Sequence, residues 1–153
     1  MRYSFLMLLN FISITISSAS SCNKDDDNIN TENNNTMTNG KIKITVNSKT
    51  FTAILLDNNS AKTFKKMLPL TINMIELNGN EKYYDLLNSI PTDASNPGII
   101  NNGDLMLYGS KTLVLFYKTF STSYSYTKLG KIDDITGLAS ALGSGNVTIT
   151  FEE

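Results

Sequence analysis

The stretch LTINMIELNGNEKYYDL, Leu70–Leu86, decides the fold class. Leu70, Ile72 and Met74 alternate with Thr71 and Asn73, the periodicity of a half-buried strand. Asn78-Gly79 follows, a dipeptide that tolerates the positive φ values of a tight hairpin turn. Glu81–Leu86 is then the return strand, and its adjacent Tyr83 and Tyr84 fall on opposite faces. The unit is an antiparallel hairpin, and the flanking sequence repeats the theme.

Upstream, Ile42, Ile44 and Val46 alternate with Lys41, Lys43 and Thr45, and Phe51, Ala53 and Leu55 alternate within Thr50–Leu56. Asn47-Ser48 joins these two strands as a hairpin. Asn58-Asn59-Ser60 is positioned to cap a short helix, with Ala61, Phe64, Met67 and Leu68 at helical spacing and Pro69 ending it. Downstream, Ser89–Gly103 is rich in turn residues. Asp104–Tyr108 and Thr112–Tyr117 are strands joined at Gly109-Ser110. The second, TLVLFY, is apolar on both faces and therefore central. Phe120–Thr127 alternates aromatic and hydroxyl residues, as a strand would. Asp133 or Asp134 is expected to cap a second helix, with Ile135, Leu138, Ala139 and Leu142 as its apolar stripe and Gly143 as its stop. Asn146–Phe151 closes the chain as a strand with Val147, Ile149 and Phe151 inward. The expected fold is mainly β: a closed or nearly closed barrel of about eight strands with two short helices over its ends.

The first 40 residues read differently. Arg2, an apolar run from Tyr3 to Ile16 and the small residues Ser17–Ser21 have the order of a secretory signal, residues 1–21. Cys22 comes next, and it is the only cysteine. Residues 22–40 are Asn- and Asp-rich with almost no hydrophobes, so they are expected to be a disordered tether. Residues 41–153 form the domain.

Composition excludes several chemistries. The chain has no His, and its only Arg is Arg2. Ser-His-Asp and Cys-His catalysis therefore lack their parts, as do Cys/His zinc sites. A net charge of -1 gives no basic surface for nucleic acid. No metal and no cofactor is expected. Asp133-Asp134 are adjacent and do not face one another, and Glu76 and Glu81 read as solvated charges beside the hairpin turn. Tyr83, Tyr84, Phe116, Phe120, Tyr124 and Tyr126 are the candidate ligand-binding residues, since tyrosine joins a large ring face to a polar tip. The plainer account of the same rings is barrel core and rim.

A cysteine directly after small residues resembles the lipobox of bacterial lipoproteins, although Ala19 stands where the usual pattern has Leu. The resemblance implies a diacylglycerol on Cys22 and a cut before it; the alternative is a plain secreted protein. Cys22-Asn23-Lys24-Asp25-Asp26-Asp27 is similar to the acidic signal that sends Bacteroidetes lipoproteins to the cell surface. Together these imply an envelope lipoprotein of the outer membrane, on its surface or periplasmic face.

The domain resembles the bacterial cyclophilin-like domain family. The likeness rests on Met67–Thr71, Leu77–Tyr84, Gly103–Gly109, Leu115–Lys118, Leu129–Asp134 and Gly143–Val147. It implies an eight-stranded cyclophilin-type barrel and no known activity. Cyclophilins proper use an Arg to weaken the X-Pro amide, and residues 41–153 contain neither Arg, His nor Trp, so no catalytic residue carries over. The expectation is a non-catalytic, lipid-anchored domain holding a small molecule or peptide at the barrel mouth. The alternatives are a degenerate prolyl isomerase and a structural lipoprotein of the envelope.

Overall fold

The computed structural model describes residues 37–153, with side-chain placement from Gly40 onward. The signal segment, Cys22 and the tether as far as residue 36 lie outside the described residues.

Eight antiparallel strands close into a barrel in which each strand is paired on both sides. In chain order they are β1 (Met37–Val46), β2 (Lys49–Leu56), β3 (Leu70–Leu77), β4 (Glu81–Asp85), β6 (Asp104–Tyr108), β7 (Thr112–Phe116), β9 (Thr127–Ile132) and β10 (Val147–Glu152). β5 (Ile99–Ile100) and β8 (Phe120–Ser121) form a separate two-stranded flap. Around the barrel the order is β1-β10-β3-β4-β7-β6-β9-β2. Closure removes the open edges that an eight-stranded sheet would otherwise expose.

The barrel interior is a packed core, built from the inward half of each alternating strand. Ile42, Ile44 and Val46 of β1 meet Phe51, Ala53 and Leu55 of β2 and Ile149 and Phe151 of β10. The opening hairpin forms as its sequence dictates: Asn78 and Gly79 take φ +55 and +66, and Leu77 pairs with Glu81. β7 is the strand buried on both faces. Leu113 and Leu115 enter the interior, while Val114 and Phe116 join a second apolar cluster on the outer wall with Ile100, Met106 and Tyr126.

Helix α1 (Asn59–Lys65) is capped by Asn58, whose side chain accepts a 2.7 Å hydrogen bond from the Ala61 N–H. Its Phe64 drops into the core and meets Phe151 edge-on at 5.7 Å. Met67 and Leu68 lie beyond the helix but still pack against that core.

Two expected elements differ. The seventh barrel strand is β9, not Phe120–Thr127; of the latter, Thr127 opens β9, and Phe120–Ser121 is a separate strand that pairs with β5 instead. A register shift between Leu105 and Met106, which pair with Gly130 and Lys128, breaks the alternation of β9 and hides it from a periodicity of two. The alternation of residues 120–126 has another origin, described below. Helix α2 is only Leu138–Leu142, its N-cap is Gly137, and neither Asp133 nor Asp134 caps it. Asp134 instead accepts from the Thr136 N–H at 2.9 Å, and hydrogen bonds from the Thr136 hydroxyl and then its N–H lower the pKa of its carboxyl. Only Leu138 and Leu142 of the expected stripe are buried, because so short a helix presents one turn to the core.

Candidate functional site

Both barrel ends are filled. Phe64 plugs one. At the other, Lys82 points inward from β4 and is completely buried. Its ammonium pairs with Glu76 of β3 and donates to the carbonyls of Gly143 at 2.8 Å and Gly145 at 2.6 Å. Three donors meet three acceptors, so the charge is paid for in full by its surroundings. Tyr117 donates to the same Glu76 carboxylate at 2.8–2.9 Å, and Lys82 Nζ lies 5.2 Å from the Tyr117 ring centre. The Gly79 N–H adds a further bond to Glu76 at 2.7 Å.

Burial pushes the Glu76 carboxyl upward, but hydrogen bonds from Lys82, Tyr117 and Gly79 and the Lys82 charge outweigh it and hold its pKa below the usual value. Tyr117 moves the other way: burial, then its bond to Glu76 and the carboxylate charges, push the phenol up to about 12. Glu76 is thus an internal counter-ion rather than the solvated turn charge expected of it. The network ties the Gly143–Gly145 loop to the Asn78-Gly79 hairpin, so paired side chains occupy that end of the barrel.

A cavity of about 560 Å³ lies instead on the outer wall of β4, β7 and β6. Cross-strand pairing lays out its floor in rows. Asp85 stands opposite Thr112, which stands opposite Tyr108; Tyr83 stands opposite Val114. Thr112 donates to Asp85 at 2.6 Å. The segment 120–126 arches over this wall, and its aromatic residues turn toward the wall, which is why that segment alternates without being a barrel strand. Ring centres run in an unbroken chain: Tyr124 to Tyr108 at 6.1 Å, Tyr108 to Tyr126 at 5.6 Å, Tyr126 to Phe116 at 5.5 Å and Phe116 to Phe120 at 5.8 Å. Edge-on and tilted contacts of this kind add stability beyond the area they bury.

The six candidate aromatic residues divide accordingly. Tyr83, Phe120, Tyr124 and Tyr126 line the cavity. Phe116 is fully buried beneath them and supports Phe120 and Tyr126 from below. Tyr84 does not belong to this group: next to Tyr83 on the same strand, it faces inward and packs against the barrel core. Tyr108, Thr112, Glu81 and Asp85 also line the cavity and were not anticipated. The signal for the last two was available, since Glu81, Tyr83 and Asp85 alternate along one face of β4.

The profile of the Cyclophilin-like family matches residues 44–152. A hypothetical protein from Archaeoglobus fulgidus, known from its solution structure, is similar with a TM-score of 0.55 at 13% identity, over 73% of this chain and 92% of that one. That likeness is one of fold. No curated protein sequence matches the chain.

Proposed function

The chain belongs to the cyclophilin-like family, and on that premise we propose that it is a non-catalytic binding domain anchored to the outer membrane through a lipid on Cys22. The observation that carries the reading is the outer-wall cavity with its arch of aromatic residues. Recognition sites are concave, largely apolar and fitted with a few polar groups. Here the apolar part is Val114 and the rings, and the polar part is Glu81, Asp85, Thr112 and the hydroxyls of Ser121, Thr122 and Ser123.

Residues 37–153 contain no Arg, so the guanidinium that cyclophilins aim at the prolyl nitrogen has no equivalent there. The ammonium most deeply placed in the domain, that of Lys82, is consumed by Glu76 and two carbonyls. This favours binding over isomerisation. The test is a fragment screen by NMR. Hits should shift the amides of β4 and of residues 120–126, and Tyr124→Ala should weaken them by about tenfold, the value of one stacked ring. Hits that leave those amides unmoved would overturn the proposal.

A further inference from the structure

Glu81 is the group in the groove whose charge the protein does not answer. It projects from the outer face of β4 with Tyr83 and Asp85, half-buried, and has no ion-pair partner among the described residues. Lys118 extends toward the neighbouring turn, 4.0 Å from where a Cβ on Gly79 would lie, and makes no pair with Glu81. Burial and the charge of another carboxylate, Glu76, both disfavour its ionised form. Asp85, the second acid of the groove, has only the hydroxyl of Thr112. No lysine lines the cavity. Glu81 stands opposite Phe116, whose ring meets those of Phe120 and Tyr126, while the open rings of Tyr108, 47% exposed, and Tyr124, 62% exposed, lie toward the row of Asp85.

A carboxylate withdrawn from water without a counter-ion attracts cations more strongly than it would in bulk solvent. The faces of tyrosine rings do the same. An anion would meet like charge on entry. We infer that the groove takes an organic cation, a primary ammonium or guanidinium on an apolar body, with Glu81 as its counter-ion and the rings of Phe120 and Tyr126, which meet Glu81's cross-strand partner Phe116, along its body. The inference rests on the groove being a binding site, as proposed above, and adds the chemical class of its ligand.

The experiment uses the full chain in detergent and three probes of one shape: phenethylammonium, 2-phenylethanol and 3-phenylpropionate. The ammonium should bind about tenfold tighter than the alcohol, and the carboxylate weakest. Glu81→Gln should close the gap between ammonium and alcohol by weakening the ammonium. That variant removes a repulsion with Glu76, so it folds, and a thermal melt verifies it. Agmatine set against acetyl-Gly-Arg-Gly-amide separates a free small cation from a basic side chain on a peptide, and either preference upholds the cation. Equal or weaker binding of the ammonium, or a gap that survives Glu81→Gln, overturns the cation while the binding groove stands. Absence of any probe or fragment at the groove amides overturns both.

Discussion

At the residue scale the sharpest lesson is Lys82. In sequence it is one lysine among many beside a hairpin turn, and nothing local distinguishes it from Lys118. In the fold it is entirely enclosed, and its side chain ties its own hairpin to the Gly143–Gly145 loop, 61 to 63 residues away in sequence. Removing one partner of such a pair leaves the other charge uncompensated. Lys82→Ala is expected to cost about 3–5 kcal/mol, read from the shift in urea midpoint at unchanged slope. A double-mutant cycle with Glu76→Gln should show strong coupling, because Gln leaves no stranded charge. Glu81, one residue away on the opposite face, predicts the reverse. Burial and the Glu76 charge raise its pKa above 4.5, so the folded state holds the proton more tightly than the unfolded chain does. Its carboxylate therefore costs stability above the folded pKa, and that cost disappears as pH falls below 4.5. Glu81→Gln should accordingly melt higher than the parent at pH 7 and equal to it in acid.

At the scale of elements, the decisive case is β9. Gly130 sits where β9 crosses β2 so closely that a Cβ would run into the carbonyl oxygen of Ile54 and lie 3.0 Å from Leu55 Cα. Both obstacles are backbone and cannot rotate away. The same glycine pairs with Leu55 on one side and Leu105 on the other, at the shift in register. Gly130→Ala is expected to destabilise by about 1–3 kcal/mol through overpacking, with hydrogen exchange accelerated first at the β2–β9 amides. This explains why β9 escapes a reading by periodicity: a glycine and a bulge interrupt the alternation that reveals the other strands. α2 is short for a related reason. The stripe Ile135–Leu142 has helical spacing, but the Asp134 turn with Thr136 and the left-handed Gly137 delay the helix to Leu138.

For the whole molecule, the barrel is closed and its interior packed, so the binding proposed above falls on its outer wall. The arch of residues 120–126 and the β5–β8 flap cover part of β7 and leave the groove beside it, which is why β7 is apolar on both faces. Under the proposed reading, a lipid on Cys22 would hold the domain at a membrane, within reach of ligands there or in the adjacent medium. Cys22→Ser is expected to move the protein from the membrane fraction to the soluble fraction, with the melting temperature of the domain unchanged. A variant that remained membrane-bound would place the anchor elsewhere.

Local sequence determined the hairpins, the capping of α1 by Asn58, the two-faced β7 and the absence of histidine or arginine chemistry from residues 37–153. These follow from side-chain type and a periodicity of two, which neighbouring residues settle among themselves. Tertiary structure alone decided which of two adjacent tyrosines lines the groove, that Lys82 is an interior strut, and that Glu81 has no ion-pair partner among the described residues. Alternation divides a strand into two faces but does not say which face turns inward or what covers the other. Barrel closure makes that choice, through pairings between residues far apart in the chain, and with it the position and charge of the groove.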